Sequence, residues 1–250
     1  MDWEGIRLES AENATVLIVE DDNEIRELLR LYLIKHGYRT VEATDGITAL
    51  RQFETARPNL VLLDIQLPGV DGLEVCEQIR SVSNVPIVFV SARGEAEDIV
   101  QGLNLGADDY IPKPFDPAVV VARVKANLRR APIYRRYEAA APGTRIAEPA
   151  IPAEGIYIDP KKMTVHADGQ EVRLSAKEFQ LLAFMASHPN EVFAASELYE
   201  QVWGSDSNDD PRTVMVHIYN MRKKLEHNPA EPRFIVSVRG MGYRYEGGAH

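Results

Sequence analysis

Five polar residues in the first half of the chain lie where short apolar runs end. Glu20 and Asp21 follow ThrValLeuIleVal, Asp64 follows LeuValLeuLeu, Ser91 closes ProIleValPheValSer, and Lys113 follows AspTyrIlePro. Runs rich in Val, Ile and Leu, separated by helical patterns, are typical of a parallel sheet covered on both faces. Ligands bind such sheets where strands end and strand order reverses, so we expect these five residues to converge.

These side chains have the chemistry of a phosphorylated aspartate site. Formation of an acyl phosphate needs a carboxylate, a hard cation and fixed positive charge at the phosphate oxygens. Asp64 is the candidate nucleophile, and Glu20 and Asp21 offer the oxygen ligands that Mg²⁺ prefers. The Lys113 ammonium and the Ser91 hydroxyl would contact the phosphate. Any one of these residues alone is better explained as a loop or helix-capping group, but their joint order favours the site.

Longer strings around these residues resemble the receiver domain of two-component response regulators. They are GluAspAsp, LeuLeuAspIleGlnLeuProGlyValAspGly, ValSerAlaArgGly and GlyAlaAspAspTyrIleProLysProPhe. The second half of the chain resembles the winged-helix DNA-binding domain of the OmpR/PhoB subfamily. The resemblance implies an α/β protein with a doubly wound (βα)5 receiver domain and a parallel sheet, followed by an α+β winged-helix domain.

The same resemblance implies a phosphorylation-controlled regulator of transcription, and not an enzyme beyond phosphotransfer to itself and autodephosphorylation. A sensor histidine kinase would phosphorylate Asp64, Ser91 and Lys113 would engage the phosphate, and Tyr110 would then rotate inward as a switch. Mg²⁺ would be held by Asp21, Asp64, the Gln66 backbone carbonyl and, through water, Glu20. The other implied partners are promoter DNA, a second copy of the chain and RNA polymerase.

In relatives, the receiver dimerises through a face formed by its fourth helix, fifth strand and fifth helix. The charged residues that match the interlocking pairs of this face are Asp108, Asp109, Arg123 and Arg130. Ile99 and Val119 occupy positions that usually hold another charged pair. An apolar contact between them would make the dimer less sensitive to salt.

Length and composition indicate two domains. A chain of 250 residues suits two units that each have a core. The predicted organisation is an N-terminal extension (1–13), a receiver domain (14–131), a linker (132–154) and a winged-helix domain (155–247). No apolar run approaches membrane-spanning length and no secretory signal is evident, so we expect a cytoplasmic protein without membrane contact. The single cysteine, Cys76, excludes an internal disulfide.

The formal net charge of −10 argues against DNA binding until its distribution is considered. Residues 1–130 contain 14 basic and 22 acidic residues, a net of −8, and residues 131–250 contain 14 and 16, a net of −2. Within the second half, residues 211–225 and 232–245 carry several Lys and Arg and no acid. These two basic stripes are consistent with contacts to DNA phosphates.

Residues 211–226 predict a recognition helix, and residues 234–245 predict a two-stranded wing. Val214, Ile218, Met221 and Leu225 form an apolar stripe, so the opposite face should be exposed. Asn pairs with adenine edges, Val meets thymine methyl groups, and Arg or Lys holds phosphates. An Arg at the wing tip can enter a minor groove. The predicted DNA contacts are Arg212, Val216, His217, Tyr219, Asn220, Arg222, Lys223, Lys224 and Arg239.

Three alternatives stay open. An isolated basic helix is often only a solvated surface. A phosphohydrolase of the haloacid-dehalogenase type also forms an aspartyl phosphate, but it needs an Asp two residues after the nucleophile, where this chain has Gln66. Constitutive DNA binding with vestigial phosphorylation is a third hypothesis, and the complete set of acidic, hydroxyl and lysine groups argues against it.

Overall fold

The computed structural model describes residues 13–92, 96–128, 155–159, 163–204 and 211–246. The chain divides into two compact units between residues 129 and 130. The predicted linker, Arg130, and all but the last residue of the predicted N-terminal extension lie outside the described residues. Within the described part of the chain, no helix is both long enough and apolar enough to cross a membrane.

The first unit is a parallel sheet of five strands that alternate with helices. The strands lie in the order β2-β1-β3-β4-β5. They are β1 (Thr15–Val19), β2 (Arg39–Ala43), β3 (Leu60–Leu63), β4 (Ile87–Ser91) and β5 (Asp109–Pro112). The helices are α1 (Asn23–Lys35), α2 (Gly46–Ala56), α3 (Gly72–Val82), α4 (Ala96–Asn104) and α5 (Pro117–Leu128). The predicted doubly wound α/β fold is confirmed.

The core of this unit follows from the apolar runs in its central strands. Every residue of β3 and β4 is buried, because these strands are covered on both faces. Helices α1 and α5 pack on one face, with Leu29 and Val124 against Ile18 and Leu62. Cys76 of α3 is also buried, and burial raises the pKa of its thiol to about 12. The thiol therefore packs as a small apolar side chain.

The described residues of the second unit form two antiparallel sheets and three helices. The first sheet has the order β6-β7-β8, and the second has the order β10-β11-β9. The elements are β6 (Ile156–Asp159), β7 (Thr164–Ala167), β8 (Gln170–Val172), α6 (Ala176–Ala186), β9 (Val192–Phe193), α7 (Ala195–Trp203), α8 (Pro211–Leu225), β10 (Ile235–Val238) and β11 (Gly242–Tyr245). The predicted α+β winged-helix architecture is confirmed.

Two short sequence motifs in this unit adopt the local structures that are typical of them. Asp168 and Gly169 both have positive φ, 50° and 79°, and they join β7 to β8 in a tight hairpin. Ser175 and Glu178 form a capping box at the start of α6, in which each side chain accepts from the other residue's backbone N–H. Both signals act within a few residues, so they depend little on the rest of the fold.

Candidate functional site

Three carboxylates from two neighbouring strands meet at the carboxyl edge of the parallel sheet. Glu20 and Asp21 follow β1, and Asp64 follows β3. The two strands are paired with Val19 opposite Leu63, and the Asp64 N–H donates to the Val19 carbonyl at 2.9 Å. Strand register therefore brings the carboxylates together, and one oxygen of each lies within 4.8 Å of the others. A group of oxygens at this spacing suits a hard divalent cation.

The ammonium of Lys113 lies between two of these carboxylates. Lys113 follows β5, and its backbone N–H donates to the Ser91 carbonyl at 2.9 Å. Its Nζ donates to Asp64 Oδ2 at 2.6 Å and to Glu20 Oε1 at 2.9 Å. Both carboxylates are buried, so this single ammonium compensates two charges that have lost most of their hydration.

Burial and charge act in opposite directions on the titration of this cluster. Burial raises the pKa of Glu20 to about 7, even though the hydrogen bond and charge of Lys113 lower it. Burial also disfavours the charged form of Lys113, but hydrogen bonds to Asp64 and Glu20 outweigh burial and raise the pKa of the ammonium above its ordinary value. Lys113 therefore stays charged at neutral pH, where Glu20 titrates.

The loop after β3 holds the Asp64 carboxylate in place. The Gln66 backbone N–H donates to Asp64 Oδ1 at 3.0 Å, and the Gln66 side chain is exposed. Gly72 begins α3 so close to this loop that a Cβ would lie 2.0 Å from the Asp64 carbonyl oxygen. Only glycine allows this approach. Asp71 caps the same helix by accepting from the Glu74 N–H at 2.9 Å.

Ser91 and Tyr110 belong to the two strands beyond Asp64, β4 and β5. Both residues are buried, and the Tyr110 ring packs against Phe89 with centroids 6.5 Å apart. The sequence resemblance implies that Tyr110 rotates inward after phosphorylation, whereas the structure already places this ring inside. The Phe89 ring also lies against Gly102 of α4. It therefore forms an apolar contact surface between the Tyr110 ring and this helix.

The charged residues predicted for a dimer face are engaged within the first unit. Asp108 is fully buried and accepts from Arg80 Nη2 at 2.6 Å and from the Ile87 N–H at 2.9 Å. Asp109 and Arg123 are also buried and form an ion pair with each other at 2.5 Å. Within a single chain these three charges are therefore paired internally, as buried charges require, and their part in a dimer face stays a prediction.

Two other residues predicted for this face have partly accessible side chains. Ile99 of α4 and Val119 of α5 are half-buried. Arg130, the last residue predicted for the face, lies outside the described residues. At these two positions the face therefore presents partly accessible apolar side chains.

Helix α8 buries a wider arc than its apolar stripe predicts. Val216, His217 and Asn220 were expected to face DNA, but all three are buried, with His217 at 0% and Asn220 at 5% exposure. The Trp203 ring of α7 packs on the His217 ring with centroids 5.2 Å apart. Val216 and Asn220 lie on the same side of α8 as His217. The prediction that these three residues face DNA is therefore corrected. Helix α8 packs against the rest of the unit along its apolar stripe and also along the side next to that stripe.

Among the described side chains of α8, the exposed ones apart from Lys224 are Arg212, Met215, Tyr219 and Lys223, which we call the exposed arc. The Lys223 Nζ lies 4.9 Å from the centroid of the Tyr219 ring. No acidic residue occurs between Pro211 and Leu225. The exposed arc is therefore basic at its ends and apolar in its middle.

Two cations that were predicted to hold DNA phosphates have internal partners. Arg222 donates through Nε to the Ile235 carbonyl at 2.8 Å and through Nη2 to Ser237 Oγ at 2.9 Å. Lys224 donates to Glu178 Oε2 at 2.6 Å. In this structure, Arg222 attaches α8 to β10, and Lys224 attaches α8 to α6.

Glu226 also attaches α8 to β10, and this role is not predicted from the sequence. Its carboxylate accepts from the N–H groups of Arg233 at 2.8 Å, Phe234 at 2.8 Å and Ile235 at 2.9 Å. Together, Glu226 and Arg222 form what we term the helix–wing clamp. No sequence signal marks this role, because an acid after an apolar stripe ordinarily indicates a solvated helix end.

The predicted two-stranded wing is confirmed as the β10–β11 hairpin. Its tip is a turn in which the Met241 N–H donates to the Val238 carbonyl at 2.9 Å and Gly240 has a φ of 74°. Arg239 and Met241 are both exposed at this tip. The wing thus presents one cation and one apolar side chain to solvent.

Comparison with known proteins matches each unit to a family. Residues 16–125 match the response regulator receiver domain, and residues 169–245 match the C-terminal domain of transcriptional regulatory proteins. The chain is 40% identical over 243 residues to the transcriptional regulatory protein ResD of Bacillus subtilis, covering 97% of this chain and 100% of ResD. It is 37% identical over 233 residues to the sensory transduction protein RegX3 of Mycobacterium tuberculosis, covering 93% and 99%.

A solved structure shares the fold over most of this chain. A mutant of the protein RitR superposes with a TM-score of 0.74 and covers 94% of this chain and 100% of its own. Its sequence identity is 23%, so the likeness concerns the fold alone.

Proposed function

Because this chain belongs to the response regulators of the OmpR/PhoB type, we propose that a sensor histidine kinase phosphorylates Asp64 and that the second unit binds promoter DNA. The family is that of phosphorylation-controlled, DNA-binding regulators of transcription, and it is not a family of classical enzymes. The observation that carries the assignment of Asp64 is its hydrogen bond to Lys113, next to Glu20 and Asp21.

The proposed phosphotransfer is a direct displacement at phosphorus. An oxygen of the Asp64 carboxylate forms a bond to phosphorus as the bond from phosphorus to the kinase histidine nitrogen breaks. The Gln66 N–H holds the other carboxylate oxygen, which fixes the direction of attack. The Lys113 ammonium and the Ser91 hydroxyl would hold phosphate oxygens, and hydrolysis of the acyl phosphate by water would return the carboxylate.

The donor set fits Mg²⁺ as a cofactor. Three carboxylates and one ammonium leave a net charge of −2 when all are ionised, which is the complement of one divalent cation. Asp21 and Asp64, with the Gln66 carbonyl and with Glu20 through water, would hold the ion. When bound, Mg²⁺ would neutralise the phosphate oxygens that Lys113 does not reach.

The second unit would bind DNA through the exposed arc of α8 and the tip of the wing. The absence of acid from the described helix, together with Lys223 on its outer side, supports contact with phosphates. Arg239, exposed at the wing tip, would contact an adjacent minor groove. Arg212 and Tyr219 complete the proposed helix contacts.

Phosphorylation would act on DNA binding through dimerisation. The half-buried side chains of Ile99 and Val119 would form an apolar contact between two receivers. Two linked winged helices then bind adjacent sites with a raised effective concentration. RNA polymerase is the remaining proposed partner, since the family regulates transcription.

The test of the phosphoacceptor is intact mass after incubation of the full-length protein with acetyl phosphate and Mg²⁺. The parent should gain one phosphoryl group, and Asp64→Asn should gain none, because an amide cannot form the acyl phosphate. The matched control is Asp116→Asn, whose exposed carboxylate caps α5 through the Ala118 N–H at 2.8 Å. Asn caps helices as well as Asp does, so this variant should be phosphorylated like the parent. Phosphorylation of Asp64→Asn would overturn the assignment.

The test of DNA binding is selection of duplexes from a random pool by the full-length protein, with and without the phosphoryl donor. We expect an enriched sequence, and tighter binding after phosphorylation. If no sequence is enriched under either condition, the second unit does not act as proposed. Equal enrichment under both conditions would instead favour constitutive binding.

A further inference from the structure

The middle of the exposed arc carries two large apolar side chains that no part of the described chain covers. Met215 is 53% exposed and Tyr219 is 51% exposed. They are four residues apart, so they lie next to each other on the helix surface. A solvated helix face is ordinarily polar, and an uncovered apolar pair within a basic face therefore indicates contact with a ligand.

Two side chains of α8 that could form hydrogen bonds to base edges, Asn220 and Arg222, are instead buried or bonded within the protein. Asn220, which could pair with adenine, is 5% exposed. Arg222, which could pair with guanine, donates to the Ile235 carbonyl and to Ser237 Oγ. Met215 and Tyr219 are left as the exposed side chains at the centre of the exposed arc.

Charge complementarity identifies the ligand class that fits this arc. The apolar pair is followed by Lys223, whose ammonium lies over the Tyr219 ring, and no acid occurs on the described helix. A polyanion with apolar groups between its charges matches this pattern. In the major groove of duplex DNA, the thymine C5-methyl group is the apolar feature that projects between the phosphate backbones.

We propose that α8 recognises thymine methyl groups through Met215 and Tyr219, and that its preferred duplexes are rich in thymine. The inference rests on the proposed DNA binding of the second unit. Side chains four apart on a helix have Cβ atoms about 5–6 Å apart. Bases along one strand rise by about 3.4 Å per step. The two contacted thymines are therefore one or two steps apart.

The test compares thymine with uracil, which differs from it only by the missing methyl group. The probe is the duplex that the full-length protein selects from a random pool, synthesised with thymine and with uracil at single positions. We expect affinity to fall about four-fold for each contacted methyl that is removed, the value of one buried methyl group. In each DNA segment that one α8 contacts, we expect two positions at which replacement of thymine by uracil lowers the affinity.

Two variants locate the contact, and a third is the matched control. Met215→Ala should abolish the thymine preference at one position, and Tyr219→Ala should abolish it at the other. Met163→Ala removes another exposed methionine, 41% exposed, next to β7 and outside the proposed DNA contacts. This control should therefore keep the full thymine preference.

Two results would overturn the inference while leaving the proposed DNA binding intact. One is a parent protein that binds thymine and uracil duplexes equally. The other is an unchanged thymine preference in both Met215→Ala and Tyr219→Ala. Loss of self-association in these variants with unchanged DNA binding would assign the pair to a contact with a second copy of the chain. A parent that selects no DNA would contradict the proposed function itself.

Discussion

The phosphoacceptor edge of the first unit and the exposed arc of the second are held by different kinds of contact. At the edge, Asp64 and Lys113 are positioned by backbone hydrogen bonds to Val19 and Ser91 in neighbouring strands. On the arc, the direction of α8 is set by side chains, since the helix–wing clamp joins it to β10. Geometry that the backbone maintains tolerates side-chain changes nearby, whereas geometry that a clamp maintains depends on single residues.

The largest effect is expected for removal of the clamp carboxylate. Glu226→Ala leaves three N–H groups without their acceptor, of which those of Phe234 and Ile235 are buried, and each buried unpaired group costs about 1–3 kcal/mol. We expect the free energy of unfolding of the second unit to fall by about 2–6 kcal/mol. The measurement is denaturant unfolding of the full-length protein.

The matched control for the clamp is Glu231→Ala, which removes an exposed glutamate five residues later. This variant should unfold like the parent. Equal stability of Glu226→Ala and Glu231→Ala would show that side chains do not hold the wing to α8.

A second large effect is expected at the phosphoacceptor edge. Lys113→Met removes the charge that bonds Asp64 and Glu20, so phosphorylation by acetyl phosphate should slow by about 10²-fold. The fold should persist, because the Lys113 backbone N–H still donates to Ser91. The measurement is the rate of mass gain, with circular dichroism to report the fold.

Lys125→Met is the control for this change, since Lys125 is an exposed lysine on α5. Its rate should equal that of the parent. A parent-like rate for Lys113→Met would remove the ammonium from the mechanism.

A smaller effect separates exposed from buried residues of α8. Lys223→Ala should weaken binding to all duplexes and lower the slope of log affinity against log salt concentration by about 0.9, as loss of one phosphate contact does. Asn220→Ala should leave that slope unchanged and should lower stability instead, because Asn220 is buried. A loss of preference at a single base pair in Asn220→Ala would restore this residue as a base reader and contradict the arrangement of α8 found here.

The last effect is a dependence of stability on pH. The pKa of Glu20 is about 7 in the folded protein, above its ordinary value of 4.5, so the folded state binds this proton more tightly than the unfolded chain does. The resulting stability is full below about pH 4.5 and is lost as the pH rises towards 7.

Unfolding at several pH values between about 5 and 7.5, without Mg²⁺, measures this loss. Glu20→Gln should flatten the curve, because an amide does not titrate. A curve of unchanged steepness in Glu20→Gln would show that another group is responsible.

Much of the fold and of the phosphoacceptor edge follows from local patterns. The apolar runs before Glu20 and Asp64 predict parallel strands, and parallel strands share one carboxyl edge. The Asp168–Gly169 turn and the Ser175 capping box are likewise decided within four residues. The same reasoning does not reveal the ion pair of Asp108 with Arg80, because a charged residue next to a strand carries no sign of its internal partner.

The sequence by itself determined which residues stand at strand ends, where the hairpin turn and the helix cap form, and that α8 has an apolar stripe. Tertiary structure decided which side chains beside that stripe are buried. Trp203 reaches α8 from another helix, and Glu226 finds its donors in a strand that begins nine residues later. These contacts depend on how whole elements pack, and a one-dimensional pattern carries no record of that packing.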